Sequence, residues 1–257
     1  MQDLTVALVQ ADQIWEDKSA NRAHFMNLLA TLTSPVDLIV LPEMFDTGFS
    51  MNTELAEEWE CNSSLKFLQE MALIYQSAIY TSLMCREKGK CYNRGVFVHP
   101  NGDFAIYDKR KTFGLAGEDQ VFTAGTSEQI IGYKSWKIQL QICYDLRFPE
   151  ICRNRISEDE QPAYDLLIYV ANWPERRSEH WKTLLQARAI ENQCYVAGVN
   201  RVGKDGKDLS YSGNSVCVTA LGEATFCEAG RETIQLFSMS KDSLHQVRST
   251  LPFLKDR

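Results

Sequence analysis

The chain has 257 residues, of which 44% are hydrophobic and 24% are charged, and its formal net charge is -7. This balance is typical of a soluble globular protein, and the length allows one large α/β domain or two small ones. Acidic and basic residues are mixed along the chain, without a basic block or a basic amphipathic face. We therefore expect no nucleic-acid partner and no membrane association.

The N-terminal sequence MQDLTVALVQADQ has no basic region and only a short apolar run, so we expect no signal peptide. No stretch of the chain approaches the ~20 apolar residues of a membrane span. The eight cysteines form no C-x-x-C pair, and no Cys/His cluster has the spacing of zinc ligands. These features predict reduced thiols, a cytoplasmic location and no metal site.

Buried strands and amphipathic helices alternate along the N-terminal half of the chain. The patterns predict strands, helices and a hairpin in this order: strand Leu4–Gln10, helix Lys18–Leu32, strand Leu38–Leu41, helix Ser64–Tyr75, strand Ala78–Met84, and a hairpin of Cys91–His99 with Phe104–Lys109 about Pro100-Asn101-Gly102.

The alternation continues to the end of the chain, with no repeat, linker or low-complexity segment. The predicted elements are strand Trp136–Ile142, strand Leu166–Val170, helix Glu179–Gln193, strand Tyr195–Asn200, a hairpin of Ser215–Thr219 with Thr225–Cys227, and strand Ile234–Ser238. Strands that alternate with helices, together with hairpins, indicate a layered α/β sandwich with mixed sheets.

Three polar residues stand where predicted apolar strands end. Glu43 follows LIVLP, Lys109 closes FAIYDK, and Cys143 follows IQLQI. Taken singly, such a glutamate or lysine is more often solvated, and such a cysteine is more often a small buried side chain. Together they supply a nucleophile, a base to take the thiol proton, and a cation for an oxyanion. The four histidines lie in no papain-like context, so Glu43 is the expected base.

Three motifs in the same order resemble those of the nitrilase superfamily, in its amidase branches: LPEMF, YDKRKTF and ICYDLRFPE. The resemblance implies a Glu43-Lys109-Cys143 triad, a second active-site glutamate at Glu118, and no metal or organic cofactor. Where the family often has His two residues after its lysine, this chain has Lys111; Lys109 keeps the family's position. The family's fold is a four-layer α-β-β-α sandwich, so we expect one such domain over residues 1–257, assembled as a homodimer.

The implied chemistry is amide hydrolysis through a thioester. Glu43 takes the thiol proton, Cys143 attacks the amide carbon, and Lys109 with the Tyr144 N–H holds the oxyanion. Glu118 orients Lys109 and helps to position the hydrolytic water.

The segments ANWPERRSEHW and LLQARAIENQCYVAGVNRVG resemble the omega-amidase branch, which hydrolyses the terminal amide of 2-oxoglutaramate and 2-oxosuccinamate. Such substrates carry a carboxylate, and the planar fork of Arg147 suits it, although a structural ion pair with Asp145 or Glu150 is an equal alternative. Trp173 is expected to wall the pocket or to belong to the core.

Arg176 and Arg177 are weaker candidates for the carboxylate, because a run of charges is usually solvated. Other superfamily amidohydrolases, such as an N-carbamoyl-amino-acid or deaminated-glutathione amidase, and a nitrile hydrolase remain alternatives to an omega-amidase. A non-catalytic scaffold with the same fold is the alternative of a different class.

Overall fold

The computed structural model describes residues 2–157 and 161–256; of the predicted domain 1–257, Met1, residues 158–160 and Arg257 lie outside them. Strands and helices follow one another from end to end of these ranges. Their bounds are β1 Leu4–Gln10, α1 Lys18–Leu29, β2 Leu38–Val40, β3 Glu57–Glu58, α2 Ser63–Tyr75, β4 Ala78–Glu87, β5 Lys90–Val98, β6 Phe104–Asp108, α3 Glu118–Val121, β7 Ile130–Tyr133, β8 Trp136–Ile142, β9 Leu166–Ala171, α4 Ser178–Asn192, β10 Tyr195–Asn200, β11 Val202–Lys204, β12 Ser210–Ser212, β13 Val216–Val218, β14 Ala224–Phe226, β15 Thr233–Met239 and α5 Lys241–Thr250.

The larger sheet has the strand order β15-β1-β2-β4-β5-β6, with the short β3 beside β4. Its centre is parallel, because β1 pairs with β2 and β2 with β4 in the same direction, Leu38 lying opposite both Val6 and Ala78. The outer strands β15, β5 and β6 run antiparallel to their neighbours. The carboxyl ends of β2 and β6 therefore lie in one sheet.

The second sheet has the strand order β14-β13-β10-β9-β8-β7. Strands β8, β9 and β10 are parallel, with Leu166 opposite both Ile138 and Tyr195. Antiparallel β7 and the β13-β14 hairpin complete the two sides of this sheet. The remaining hairpin, β11-β12, forms a separate small sheet.

Alternating side chains of β1 show how the layers stack. Leu4, Val6 and Leu8 join the core that includes the second sheet, whereas Ala7 and Val9 join the core under α1 and α2. On the far side α4 packs directly on β10, where a Cβ on Gly198 would lie 2.6 Å from Leu185 Cδ1. Helix, sheet, sheet and helix follow in order, which confirms the predicted α-β-β-α sandwich with mixed sheets.

The differences from the predicted elements have simple local causes. Helix α1 ends at Leu29 rather than Leu32, because the chain closes there in short-range turns. Strand β4 runs to Glu87 rather than Met84, and β5 begins at Lys90 rather than Cys91, so the two strands meet at Lys88 and Gly89, which both have positive φ. A lysine-glycine turn between charged residues carries little hydrophobic signal, so the pattern ended β4 too early and began β5 too late.

Helix α5 was not predicted at all. Lys241 and Leu244 are its buried residues, so it lacks the broad apolar stripe by which a helix is recognised in a sequence. Of the helices in the described residues, none is long and apolar enough to cross a membrane.

Candidate active site

The three predicted reactive residues meet where strands of the two sheets end. Lys109 directly follows β6, and Glu43 lies three residues beyond the end of β2, both in the larger sheet. Cys143 directly follows β8 in the second sheet. The site therefore lies between the sheets, where residues far apart in sequence are brought within contact distance.

Cys143 has an unusual backbone conformation. Its φ is 46°, which is the left-handed region that residues with a Cβ seldom adopt. The residue leaves strand β8 and begins a short 3-10 turn, Cys143–Arg147. Strain of this kind is found where a side chain must be held in one orientation at a functional site. The first N–H groups of such a turn, including that of Tyr144, have no acceptor within the turn.

Lys109 stands between two carboxylates. Its Nζ lies 2.9 Å from Glu43 Oε1 and 2.9 Å from each carboxylate oxygen of Glu118. All three side chains are buried, at 1%, 0% and 0% exposure. Lys111 lies outside this cluster, with its Nζ 3.5 Å from Glu150. The geometry thus places Lys109 rather than Lys111 beside both glutamates.

Further hydrogen bonds fix both carboxylates. Asn93 Nδ2 donates to Glu43 Oε1 at 2.8 Å and to Glu118 Oε1 at 3.1 Å. The backbone N–H of Asn172 donates to Glu43 Oε2 at 2.8 Å, and that of Phe113 donates to Glu118 Oε2 at 2.6 Å. Sequence reasoning missed Asn93, because an asparagine within a strand carries no local signal of a distant partner.

The charges around the thiol set its protonation state. Burial raises the pKa of Cys143 well above its ordinary value, Glu43 raises it further, and Lys109 lowers it. Burial alone lowers the pKa of Lys109, but Glu118 and Glu43 outweigh burial and raise it overall. One ammonium group facing two carboxylates leaves no positive charge to hold a thiolate, so the resting thiol is protonated. A base is therefore needed before Cys143 can attack.

A pocket of about 280 Å³ opens above Cys143. The predicted pocket residues Tyr144, Arg147 and Trp173 all line it. Tyr144 packs against Phe113, with 4.9 Å between the ring centroids. Trp173 lines the pocket and, at only 3% exposure, is also part of the hydrophobic core, so both roles expected for it are combined.

Arg147 forms neither of the ion pairs considered from the sequence. Its Nη2 lies 3.2 Å from His180 Nδ1, and its Cζ lies 4.7 Å from the centroid of the Trp173 ring. Asp145 instead accepts from the Tyr107 hydroxyl and from two backbone N–H groups. The Arg147 guanidinium is therefore held at the pocket by an imidazole and an aromatic face, with no carboxylate partner among the described residues.

The described ranges contain no group of three or more His, Cys, Asp or Glu side chains that could hold a metal ion. The chemical groups gathered at Cys143, behind the pocket, are its thiol, one ammonium group and two carboxylates. This set can carry out acyl transfer by covalent catalysis.

The chain belongs to the carbon-nitrogen hydrolase family, whose model matches residues 5–248. It is a cysteine-dependent amidohydrolase.

Individual proteins similar to this chain include amidases and one solved structure. The chain is 40% identical over 259 residues to omega-amidase YafV of Yersinia enterocolitica, covering 100% of this chain and 97% of that protein. It is 31% identical to 2-oxoglutaramate amidase of Paenarthrobacter nicotinovorans, covering 99% of this chain and 89% of the relative. Among solved structures it resembles XC1258 of Xanthomonas campestris, a CN-hydrolase superfamily protein with an arsenic adduct in its active site. That likeness has a TM-score of 0.97 at 38% identity and covers 100% of this chain and 98% of XC1258.

Proposed function

We propose that the chain is an omega-amidase that hydrolyses the terminal amide of small dicarboxylate monoamides, such as 2-oxoglutaramate and 2-oxosuccinamate. The observation that carries the proposal is that Cys143 and Arg147 line one pocket of about 280 Å³. A thiol at the pocket floor and a guanidinium in its wall match the amide and the carboxylate of such a substrate. The full-length relatives named above support the same reaction.

In the first half-reaction Glu43 accepts the thiol proton as Cys143 attacks the amide carbon. The developing oxyanion is stabilised by the Lys109 ammonium group and the Tyr144 N–H. Glu43 then gives the proton to the leaving nitrogen, and ammonia departs to leave a thioester on Cys143. Because the thiol is protonated at rest, proton transfer and attack are coupled at Glu43.

In the second half-reaction Glu43 takes a proton from water, which attacks the thioester carbon. The oxyanion returns to Lys109 and Tyr144 N–H, the carbon-sulfur bond breaks, and Glu43 returns the proton to the departing Cys143 thiolate. The acid product is released and ionises to the dicarboxylate. Glu118 keeps Lys109 in place throughout, because both of its oxygens lie 2.9 Å from Lys109 Nζ. Its second role is to position the attacking water.

Arg147 is proposed to bind the carboxylate at the far end of the substrate. Its guanidinium has donors left after the contact with His180, and a bidentate pair with a carboxylate would use two of them. Trp173 supports the planar group from one side and Tyr144 encloses the carbon chain. A neutral amide of equal length would leave this cation without a partner.

Ammonia release across a panel of substrates tests the proposal. The panel contains 2-oxoglutaramate, succinamate, a neutral aliphatic amide, an N-carbamoyl amino acid, deaminated glutathione and a nitrile. The expected result is a kcat/KM highest for the two monoamides that carry a carboxylate. A preference for the carbamoyl compound, deaminated glutathione or the nitrile would replace the proposal with the corresponding hydrolase. No turnover of any compound would favour a non-catalytic scaffold.

We also propose a cytoplasmic homodimer. All eight cysteines are free, which suits a reducing compartment. Ile190 on α4 and Leu221 in the neighbouring β13-β14 turn are 53% and 54% exposed, where a second copy would cover them. Light scattering on the purified protein and cell fractionation test the two statements. A monomer at micromolar concentration, or recovery outside the cytoplasm, would contradict them.

A further inference from the structure

The active-site pocket holds more cationic side chains than the reaction uses. Arg147, Arg176, Arg177 and Lys207 line it, and Asp205 is the single carboxylate among the described lining residues. An excess of positive charge around a small pocket attracts an anion.

Asp205 does not neutralise the arginines. Its Oδ1 accepts the backbone N–H groups of Lys207 and Leu209 at 2.8 and 3.0 Å, and its Oδ2 accepts the Tyr211 hydroxyl at 2.8 Å. These bonds shape the loop between β11 and β12. The carboxylate is thus occupied within its own loop, and the positive charge of the pocket remains.

Of these four cations, Arg177 is the one that is half-buried and whose guanidinium makes no hydrogen bond or ion pair with the described residues. Its Cζ lies 5.4 Å from the centroid of the Phe113 ring. Its backbone is held, because Trp173 Nε1 donates to the Arg177 carbonyl at 2.8 Å. Arg147, in contrast, already contacts His180.

The Arg177 guanidinium also lies in an unfavourable electrostatic environment. Burial lowers the pKa of Arg177, and repulsion from Arg176 and Arg147 lowers it further. A partly buried cation without a counter-ion is costly, and a carboxylate placed between Arg147 and Arg177 removes that cost. Arg176 and Lys207 are exposed, so water already satisfies them.

We propose that Arg177 is a specificity-determining residue, which binds the distal carboxylate of the substrate together with Arg147. The inference rests on the proposed omega-amidase function and adds to it the second half of a two-arginine clamp. The expectation that both residues of the Arg176-Arg177 run are solvated then holds for Arg176 alone. Two guanidinium groups bound to one carboxylate stabilise its negative charge from both sides, whereas a neutral amide gains neither interaction.

Substitution of neighbouring arginines tests the clamp. Arg177→Gln should lower kcat/KM for succinamate by about 10–150-fold and change that for butyramide, its neutral counterpart, by less than about threefold. Arg177→Lys should recover part of the loss. Arg176→Gln is the matched control, with the same charge change one residue earlier, and should lose less than about fivefold on either amide.

Inhibition by succinate gives a second readout that does not depend on turnover. Its inhibition constant should rise at least about tenfold in Arg177→Gln and by less than about fivefold in Arg176→Gln. A thermal melt checks that the variants are folded. Equal losses on both amides, or an unaltered succinate constant in folded Arg177→Gln, would overturn the role of Arg177. If the unmodified enzyme itself prefers butyramide, the omega-amidase proposal fails instead, whatever the variants do.

Discussion

Cys143 is the residue on which the proposed chemistry depends most directly, and its surroundings differ from those of the other thiols. Among the cysteines in the described residues, Cys143 is the one that has a positive φ, directly follows a strand and lines the pocket described above. Cys143→Ala should abolish ammonia release and keep the melting temperature within a few degrees, because only a sulfur atom is removed. Cys61→Ala removes an exposed thiol and should retain full turnover. A Cys143→Ala protein with normal turnover would exclude this nucleophile.

Glu43 is expected to move the proton in both half-reactions. Glu43→Gln keeps the length of the side chain and removes its basicity, so kcat should fall by about 10²–10⁴-fold, the usual contribution of a positioned proton transfer. The measurement is steady-state ammonia release from succinamate, with circular dichroism as the check on folding. A loss of less than about tenfold in a folded variant would assign the base elsewhere.

Two lysines in YDKRKTF differ in what surrounds them. Lys109→Met should lose at least about 10²-fold in kcat, because it removes a charged oxyanion donor. It should also lower the melting temperature, since Glu43 and Glu118 are then buried without a cation. Lys111→Met is the control; its Nζ lies 4.6 Å from the Phe148 ring, outside the cluster, and activity should be retained. An inactive Lys111→Met with an active Lys109→Met would reverse the assignment.

At the scale of elements, Glu57 joins the starts of α1 and α2. Its Oε1 lies 2.6 Å from Lys18 Nζ, and its Oε2 accepts the Ser63 N–H at 2.5 Å. Although burial alone raises its pKa, the bonds to Lys18 and Ser63 lower it from 4.5 to about 2. The ionised carboxylate is therefore the form that stabilises the junction between the helices.

Glu57→Gln should thus lower the free energy of unfolding at pH 7 by about 1 kcal/mol, given the partial exposure of the pair. A lowered pKa means that this stability is present above 4.5 and is lost as the pH falls from 4.5 towards about 2. Urea unfolding of both proteins across this range measures the difference. A gap between them that stays constant down to pH 2 would show that the carboxylate charge is not its source.

The sequence predicted most elements because their buried faces repeat with clear periods. The central strands of both sheets and helices α1, α2 and α4 were all placed, and motif order predicted which residues meet at Glu43, Lys109 and Cys143. Helix α5 and the hairpin β11-β12 were missed, because few of their residues are buried. Asn93 was missed, and Arg177 was ranked only as a weaker candidate beside Arg176, for another reason: contacts between distant segments leave no local pattern.

At the scale of the whole molecule, the site depends on how the two sheets are held together. The hydroxyl of Tyr80 on β4 donates to the carbonyl of Gln141 on β8 at 3.0 Å, and that of Tyr107 on β6 donates to Asp145 beyond β8 at 2.8 Å. These buried bonds join the sheets within a few residues of Lys109 and Cys143.

Tyr107 does not line the active-site pocket, yet Tyr107→Phe should reduce activity. The substitution should also lower the free energy of unfolding by about 1–2 kcal/mol. Loss of the bond leaves Asp145 with fewer donors and loosens the turn that carries Cys143. Urea melts and kcat for succinamate are measured together; Tyr92→Phe, on the outer core of the same sheet, is the control. A stable Tyr107→Phe enzyme with unaltered kcat would show that the two sheets do not need this contact to align the site.

The enclosed position of Cys143 at the floor of its pocket also bears on how the protein responds to oxidative stress. Peroxides and disulfides react with thiolates, and a protonated thiol that is reached only through a small pocket is a poor target for them. Cys61, which is exposed on the surface, is the first site that such reagents meet. The enzyme can thus accumulate surface oxidation while its turnover persists, and the proposed nucleophile becomes vulnerable chiefly during the catalytic cycle, when Glu43 would take its proton.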